Sequence, residues 1–214
     1  MHPATLVLAW MLALTSSLAL LAGCSQVMIG TSPGLPGTYT GELGGSTIRV
    51  ELRSEEVYTW GWGEVGSRSF ALAVLGPWRG PAVIAFSDGE LGAGDLGFSG
   101  AGVDLTLPGT AGAAALERSD DGTGSTAGGW TGRWTARGGV FDLRLEQSSQ
   151  GIAGHGNAGD QAAVIACPAP TAGSTRCSLL FPDGGSLRLG VEERGRALVV
   201  TGLGAPLELH RRGW

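Results

Sequence analysis

The groups in this chain suited to acid–base or nucleophilic chemistry are few, and their spacing joins none of them into a recognisable set. His155 lies in Gly154-His155-Gly156, and His210 stands beside Arg211 and Arg212. A Ser-His-Asp arrangement needs base, nucleophile and orienting acid in contact, which spacing alone does not establish. Gly97-Phe98-Ser99-Gly100-Ala101 falls one residue short of the Gly-x-Ser-x-Gly nucleophile turn. The acid pairs Glu55-Glu56, Asp120-Asp121 and Glu192-Glu193 read as solvated turn residues. On a strand, neighbouring residues point to opposite faces, so such pairs do not flank a glycosidic bond together. No two His or Cys residues have zinc-ligand spacing. Asp120-Asp121-Gly122 lacks the alternating acids and closing Glu of a calcium loop. The expectation is therefore no catalytic residue, no metal site and no cofactor.

Three segments match Gly-x-Gly-x-x-Gly: Gly61 to Gly66, Gly92 to Gly97 and Gly154 to Gly159. A dinucleotide fingerprint needs a strand before it and a helix after it, and no helical pattern follows any of them. The aromatics have more binding potential. Trp60 and Trp62 share one strand face between glycines, and Trp130 and Trp134 share another. Exposed, such rings form platforms for sugars, peptides or apolar ligands; buried, they fill a core.

The elements that must position these residues are strands. Ile48-Arg49-Val50-Glu51-Leu52-Arg53 and Phe141-Asp142-Leu143-Arg144-Leu145-Glu146 alternate strictly between apolar and charged. Period two puts the aliphatics on one face and the charges on the other, the habit of an antiparallel sheet with one wet side. These two runs are 93 positions apart, and the spacing recurs. Gly61, Gly63 and Gly66 match Gly154, Gly156 and Gly159. Leu105, Leu107 and Gly109 match Leu198, Val200 and Gly202. Leu116 and Arg118 match Leu209 and Arg211. Tyr39-Thr40-Gly41 matches Trp130-Thr131-Gly132 at an offset of 91, and a Phe-x-Asp-Gly turn at Phe86 returns at Phe181, offset 95. Self-similarity at a fixed period is the mark of a duplicated unit. The expected organisation is a spacer over residues 24–36, a β repeat over 37–118, a Gly/Ser/Asp linker over 119–128 and a second β repeat over 129–214. The fold class is all-β, an antiparallel meander barrel or sandwich, with no long helix after the first two dozen residues. The spacing leaves open whether the repeats make two lobes or two halves of one barrel.

Composition agrees. Glycine supplies 39 of 214 residues, far above its usual share of about 7%. Yet 43% of the chain is hydrophobic, too much for a disordered linker. Dense turn residues between short alternating runs suit an all-β protein. The formal net charge is −5, and every cation is Arg; with no basic cluster, nucleic acid is not an expected partner.

The N-terminus carries an address. After Met1-His2-Pro3 an apolar run from Ala4 to Ala22 ends in Leu21-Ala22-Gly23-Cys24. This resembles the lipobox of bacterial lipoprotein signal peptides: an aliphatic residue, a small residue, Gly or Ala, then Cys. The resemblance covers the first two dozen residues. It implies a signal peptide over 1–23, cleavage before Cys24, a diacylglyceryl thioether on Cys24 and an acyl chain such as palmitate on the new N-terminus. One acyl chain anchors reversibly, whereas two or more hold a protein on a membrane stably. Ser25, rather than Asp, implies the outer membrane in a cell with two membranes. The n-region lacks the usual Lys or Arg: either translation starts upstream, or the α-amino group and His2 supply the charge. The general rhythm of aromatic-Thr-Gly, alternating strand and Gly-x-Gly strand looks like that of small envelope β-barrels such as lipocalins and avidins, with no family motif beyond it.

Export also explains the cysteines. With Cys24 lipidated, Cys167 and Cys177 form an even pair around a Pro/Gly-rich loop, suited to a disulfide in an oxidising compartment worth about 2–3 kcal/mol. The functional expectation is a membrane-anchored, non-enzymatic protein of the cell envelope whose β scaffold meets a small ligand or an envelope protein. The rivals are a hydrolase of envelope polymers and an accessory or inhibitory subunit of another envelope protein. Mass spectrometry of the unreduced mature protein should find Cys167 linked to Cys177; recovery of both as alkylated thiols would refute the bridge.

Overall fold

A computed structural model describes residues 36–76, 79–100, 102–119 and 128–212. The lipobox with Cys24, the spacer up to residue 35 and most of the linker lie outside the described residues. The first repeat forms β1 (Gly37–Leu43), β2 (Ser46–Glu55), β3 (Tyr58–Val65), β4 (Arg68–Leu75), β5 (Arg79–Phe86), β6 (Leu91–Ser99), β7 (Gly102–Thr106) and β8 (Ala114–Ser119). The second forms β9 (Gly132–Ala136), β10 (Phe141–Ser148), β11 (Gly151–Ala158), β12 (Gln161–Cys167), β13 (Ser174–Leu180), β14 (Ser186–Arg194), β15 (Ala197–Thr201) and β16 (Leu207–Arg211). Within each repeat every strand pairs antiparallel with the next; β8 returns to β1 and β16 to β9. Each repeat is thus its own closed eight-stranded meander barrel, which removes the sheet edges that would otherwise invite association. Among the described residues the one helical element is a 3-10 turn, Arg137–Gly139.

Eight strands enclose a space that side chains alone can fill, and the inward residues of the alternating runs fill it. Ile48, Val50 and Leu52 meet Phe70, Leu72, Ile84, Phe86 and Leu105 in the first barrel. Phe141, Leu143 and Leu145 meet Ile165, Leu179, Leu189 and Leu198 in the second. Closure is made the same way twice. Arg118 on β8 donates to the Pro36 carbonyl at 3.0 Å, and Arg211 on β16 donates to the Thr131 carbonyl. Each guanidinium lies against the glycine that follows, Gly37 or Gly132.

The pairing registers correct the alignment of the repeats in two places. Tyr39 pairs with Val50, and Trp134 pairs with Leu143, the equivalent of Val50. The counterpart of Tyr39 is therefore Trp134, at an offset of 95, and the likeness of Tyr39-Thr40-Gly41 to Trp130-Thr131-Gly132 is not structural. From β2 to β4 the offset is 93: Ile48 pairs with Val65 as Phe141 pairs with Ala158. It is 95 again through β5–β7, because Val103 pairs with Leu116 and Leu198 with Leu209. Val103, rather than Leu105, is thus the counterpart of Leu198. All the slips are of two residues, so no side chain changes face. The Phe-x-Asp-Gly turns are true equivalents. Phe86 and Phe181 each accept from the glycine three residues on, and Asp88 and Asp183 each accept from the amide two residues beyond.

The barrels meet along a seam where the one-wet-face expectation fails. Outward residues of β3–β5 (Trp60, Trp62, Ala71, Ala73, Val83, Ala85) pack on Ala153, Val164, Ala166 and Leu180 of β11–β13. Phe70-Ala71-Leu72-Ala73-Val74 and Ala163 to Cys167 are accordingly buried on both faces and read as continuous apolar runs. The small outward alanines let the barrel walls approach closely. Equivalent residues meet across this seam. Arg53 donates to Glu146, its counterpart 93 positions on, at 2.7 Å. Trp62 donates its Nε1–H to the Gly151 carbonyl at 3.1 Å, while its counterpart His155 stacks on Tyr58, the counterpart of Gly151. Contacts exchanged in this way define an approximate two-fold arrangement.

Cys167, the last residue of β12, and Cys177 on β13 are joined as a disulfide with Cα atoms 4.2 Å apart. On β3 and β11, Gly61 and Gly154 occupy matching points where a Cβ would run into the carbonyl of Glu51 or Arg144. Gly61→Ala should therefore cost about 1–3 kcal/mol in urea unfolding, the usual range for overpacking. Gly97→Ala, whose Cβ meets nothing closer than the Arg79 guanidinium at 3.5 Å, should stay within about 0.5 kcal/mol.

Candidate functional site

At one end of the seam lies a cleft of about 550 Å³ with one wall from each barrel. The first barrel contributes the end of the β2–β3 hairpin: Glu55, Glu56 and Tyr58. Glu56 holds the left-handed conformation, φ 53°, which an ordinary L-residue adopts rarely. The second barrel contributes the outer face of β9–β11. Arg133 pairs with Arg144, and Arg144 with His155, so the three stand in a row directly across the strands. Arg212, whose backbone N–H bonds to the Arg133 carbonyl at 2.9 Å, also lines the cleft.

Like charges directly opposite each other on a sheet repel, so this row requires carboxylates. Asp142 grips Arg133 through two bonds, Nε to Oδ1 at 2.7 Å and Nη2 to Oδ2 at 2.6 Å. The Arg133 hydrogen bond holds the Asp142 carboxyl below the usual range against a smaller opposing effect of burial. The Arg144 partner comes from the other barrel: its Nη1 donates to the Glu55 carboxylate. The same Glu55 oxygen lies 3.6 Å from His155 Nε2, just too long for a hydrogen bond.

His155 is the best-enclosed titratable group in the cleft, 9% exposed. Its ring stacks on Tyr58 at 4.4 Å and leans on Trp60 at 4.8 Å. Burial pushes its pKa below the ordinary histidine range; the charge of Glu55 opposes this and that of Arg144 reinforces it. The ring is therefore neutral near pH 7. Its Nε2 and the neighbouring Trp60 Nε1 are buried without a hydrogen-bond partner. Such orphans are uncommon in folded proteins. No Ser, Thr or Cys lines the cleft among the described residues. The arrangement brings charged and polar side chains of both barrels to one cleft and suits the binding of a polar group.

The other expected residues fall elsewhere. Trp60 and Trp62 are buried in the seam, and Trp130 and Trp134 in the second barrel's core, all at 4% exposure or less. None presents an open face, because each serves as packing. Trp130 Nε1 donates to Glu193 at 3.0 Å, and Trp134 Nε1 donates to the Trp130 carbonyl at 2.8 Å. Glu192 and Glu193, expected in a turn, belong to β14. Glu55 is the last residue of β2, with Glu56 in the turn beyond it. His210 is exposed on β16, 3.7 Å from Glu208. Ser99 is exposed at the end of β6, and the three Gly-x-Gly-x-x-Gly segments run along β3, β6 and β11 with no helix following. Sequence reasoning did not identify Glu55 and Arg144 as the neighbours of His155, because the three come from two barrels. The one available signal was His155 standing where the other repeat has Trp62.

No family model matches the chain, and no curated protein matches it. Among solved structures it is similar to the beta subunit of DNA polymerase III from Thermotoga maritima, at 11% identity and a TM-score of 0.17. That match covers 85% of this chain and spans 57% of the other; at that score it carries no argument.

A buried neutral histidine ties stability to pH with a definite sign. The unfolded chain takes up a proton near pH 6.5 and the folded one only at lower pH. The His155 contribution is therefore complete above about pH 6.5 and lost as pH falls toward the folded pKa. The melting temperature should drop between about pH 7 and pH 5, and His155→Phe should flatten that slope. An equal slope in both proteins would show that His155 is not its source.

Proposed function

We propose that this chain is a lipid-anchored, non-enzymatic protein of the bacterial cell envelope, and that the cleft between its barrels is where it binds a small polar ligand. The anchor rests on Leu21-Ala22-Gly23-Cys24, which resembles a lipobox, and is supported by the disulfide of Cys167 and Cys177, a bond that persists in oxidising compartments. In a cell with two membranes, Ser25 points to the outer membrane. The observation that carries the binding site is the buried, partnerless Nε2 of His155 in a cleft where arginines and carboxylates converge. Both barrel interiors are filled by side chains. A ligand must therefore be met on the outside, and a volume of this size lies within the range of small-molecule sites.

One observation favours a second reading, a hydrolase of envelope polymers: His155 and the Glu55 carboxylate converge in a cleft. A neutral histidine beside a carboxylate is the makings of a general base. The two readings separate on Glu55→Gln, which a hydrolase would not survive with activity intact.

The anchoring is tested with Cys24→Ala. Wild-type protein should fractionate with membranes and carry fatty acid at its N-terminus. The variant should be released or remain unprocessed. Unchanged fractionation of Cys24→Ala, or a wild-type protein free of fatty acid, would remove the lipoprotein assignment.

A further inference from the structure

The row formed by Arg133, Arg144 and His155 is already occupied by carboxylates, and the two do not have the same standing. Asp142 sits on β10 within the same barrel wall, and holds Arg133 in a planar, two-bond grip. Glu55 reaches across from the other barrel. It rests on Arg144, lies 3.6 Å from His155 Nε2, and its side chain is 41% exposed. It stands at the end of the hairpin whose next residue, Glu56, is in the left-handed conformation. Glu55 thus places one solvent-accessible carboxylate on a guanidinium and beside a buried imidazole, without satisfying the imidazole.

We propose that the inter-barrel cleft is a carboxylate-binding site, and that Glu55 is a built-in competitor standing where a ligand carboxylate lands. The incoming group takes the Arg144 fork, which matches a carboxylate in two-bond geometry. It also accepts from the His155 Nε2–H that Glu55 leaves unpaired. Arg212 on the same cleft adds positive charge from β16's end, and its field already reaches Asp142. Tyr58, half-buried and stacked on His155, supplies an apolar wall for the carbon chain of the ligand. Displaced from Arg144, the Glu55 carboxylate turns to solvent, which its exposure permits. No covalent step is involved. The inference rests on the cleft being the binding surface proposed above and is independent of the lipid anchor.

The test is calorimetric titration of the full mature protein in detergent with succinate, with the uncharged succinamide and with inorganic phosphate. Succinate should bind, and both other probes should bind at least about tenfold more weakly. Glu55→Gln keeps the shape and removes the competing charge, so it should tighten succinate binding by about tenfold. A gain of this kind does not arise from misfolding. Arg144→Gln should abolish it, with an unchanged circular dichroism spectrum showing that the barrels persist. Succinamide binding as well as or better than succinate would overturn the carboxylate assignment while leaving a cleft that binds. Phosphate binding equally would make it a general anion site and overturn it too. No heat from any probe would overturn both the inference and the cleft as a binding surface. Succinate binding that Glu55→Gln leaves unchanged would overturn the role of Glu55 as competitor.

Discussion

The apolar seam between β3–β5 and β11–β13 is the constraint from which the rest of the architecture follows. An eight-stranded meander barrel filled by its own side chains is self-sufficient, and needs its outer wall only to be wet. Here the outer walls of both barrels carry Trp60, Trp62, Ala71, Ala73, Val83 and their partners Ala153, Val164 and Ala166. Burying the two tryptophans alone removes roughly 300–500 Å² from water, a gain on the order of 10 kcal/mol before ordering entropy is subtracted. The seam fixes one barrel against the other. It thereby sets the distance between the β2–β3 hairpin and the β9–β11 wall, without which Glu55, Arg144 and His155 would be unrelated surface residues.

Strictly alternating runs were the legible part of the fold. Phe141-Asp142-Leu143-Arg144-Leu145 announces one buried and one solvated face, and its copy at Ile48 announces the duplication. The glycine-dense turns then account for the sixteen strands of the described residues. Two things were hidden, for physical reasons. The seam strands are buried on both sides, so Phe70 to Val74 lose the alternation that identifies a wet face. The true partner of Tyr39 is Trp134, and the local likeness of Tyr39-Thr40-Gly41 to Trp130-Thr131-Gly132 masks it. Register is set by cross-strand pairing, which leaves no trace in a linear comparison.

The cleft was illegible for a different reason. Its members come from β2 and the turn after it, from β3, β9, β10 and β11, and from the residue after β16, so they are scattered over both repeats. The tryptophan pairs could be read from the sequence as core filling or as binding platforms, since a large ring is as useful for filling a seam as for holding a ligand. Trp60 and Trp62 do the former. What matters chemically is a substitution between the copies: the place of Trp62 in one is the place of His155 in the other. The tryptophan finds its acceptor in the Gly151 carbonyl, whereas the imidazole keeps a free nitrogen.

The contact between Arg53 and Glu146 carries a consequence for lineage. Two identical chains docked about this same axis would set that position against itself, arginine on arginine or glutamate on glutamate. A tandem chain can carry opposite signs on the two sides of its own two-fold axis. Once the halves were free to differ there, they were free to differ elsewhere, and a division of labour became available: one end of the junction sealed by an indole, the other left open around an imidazole.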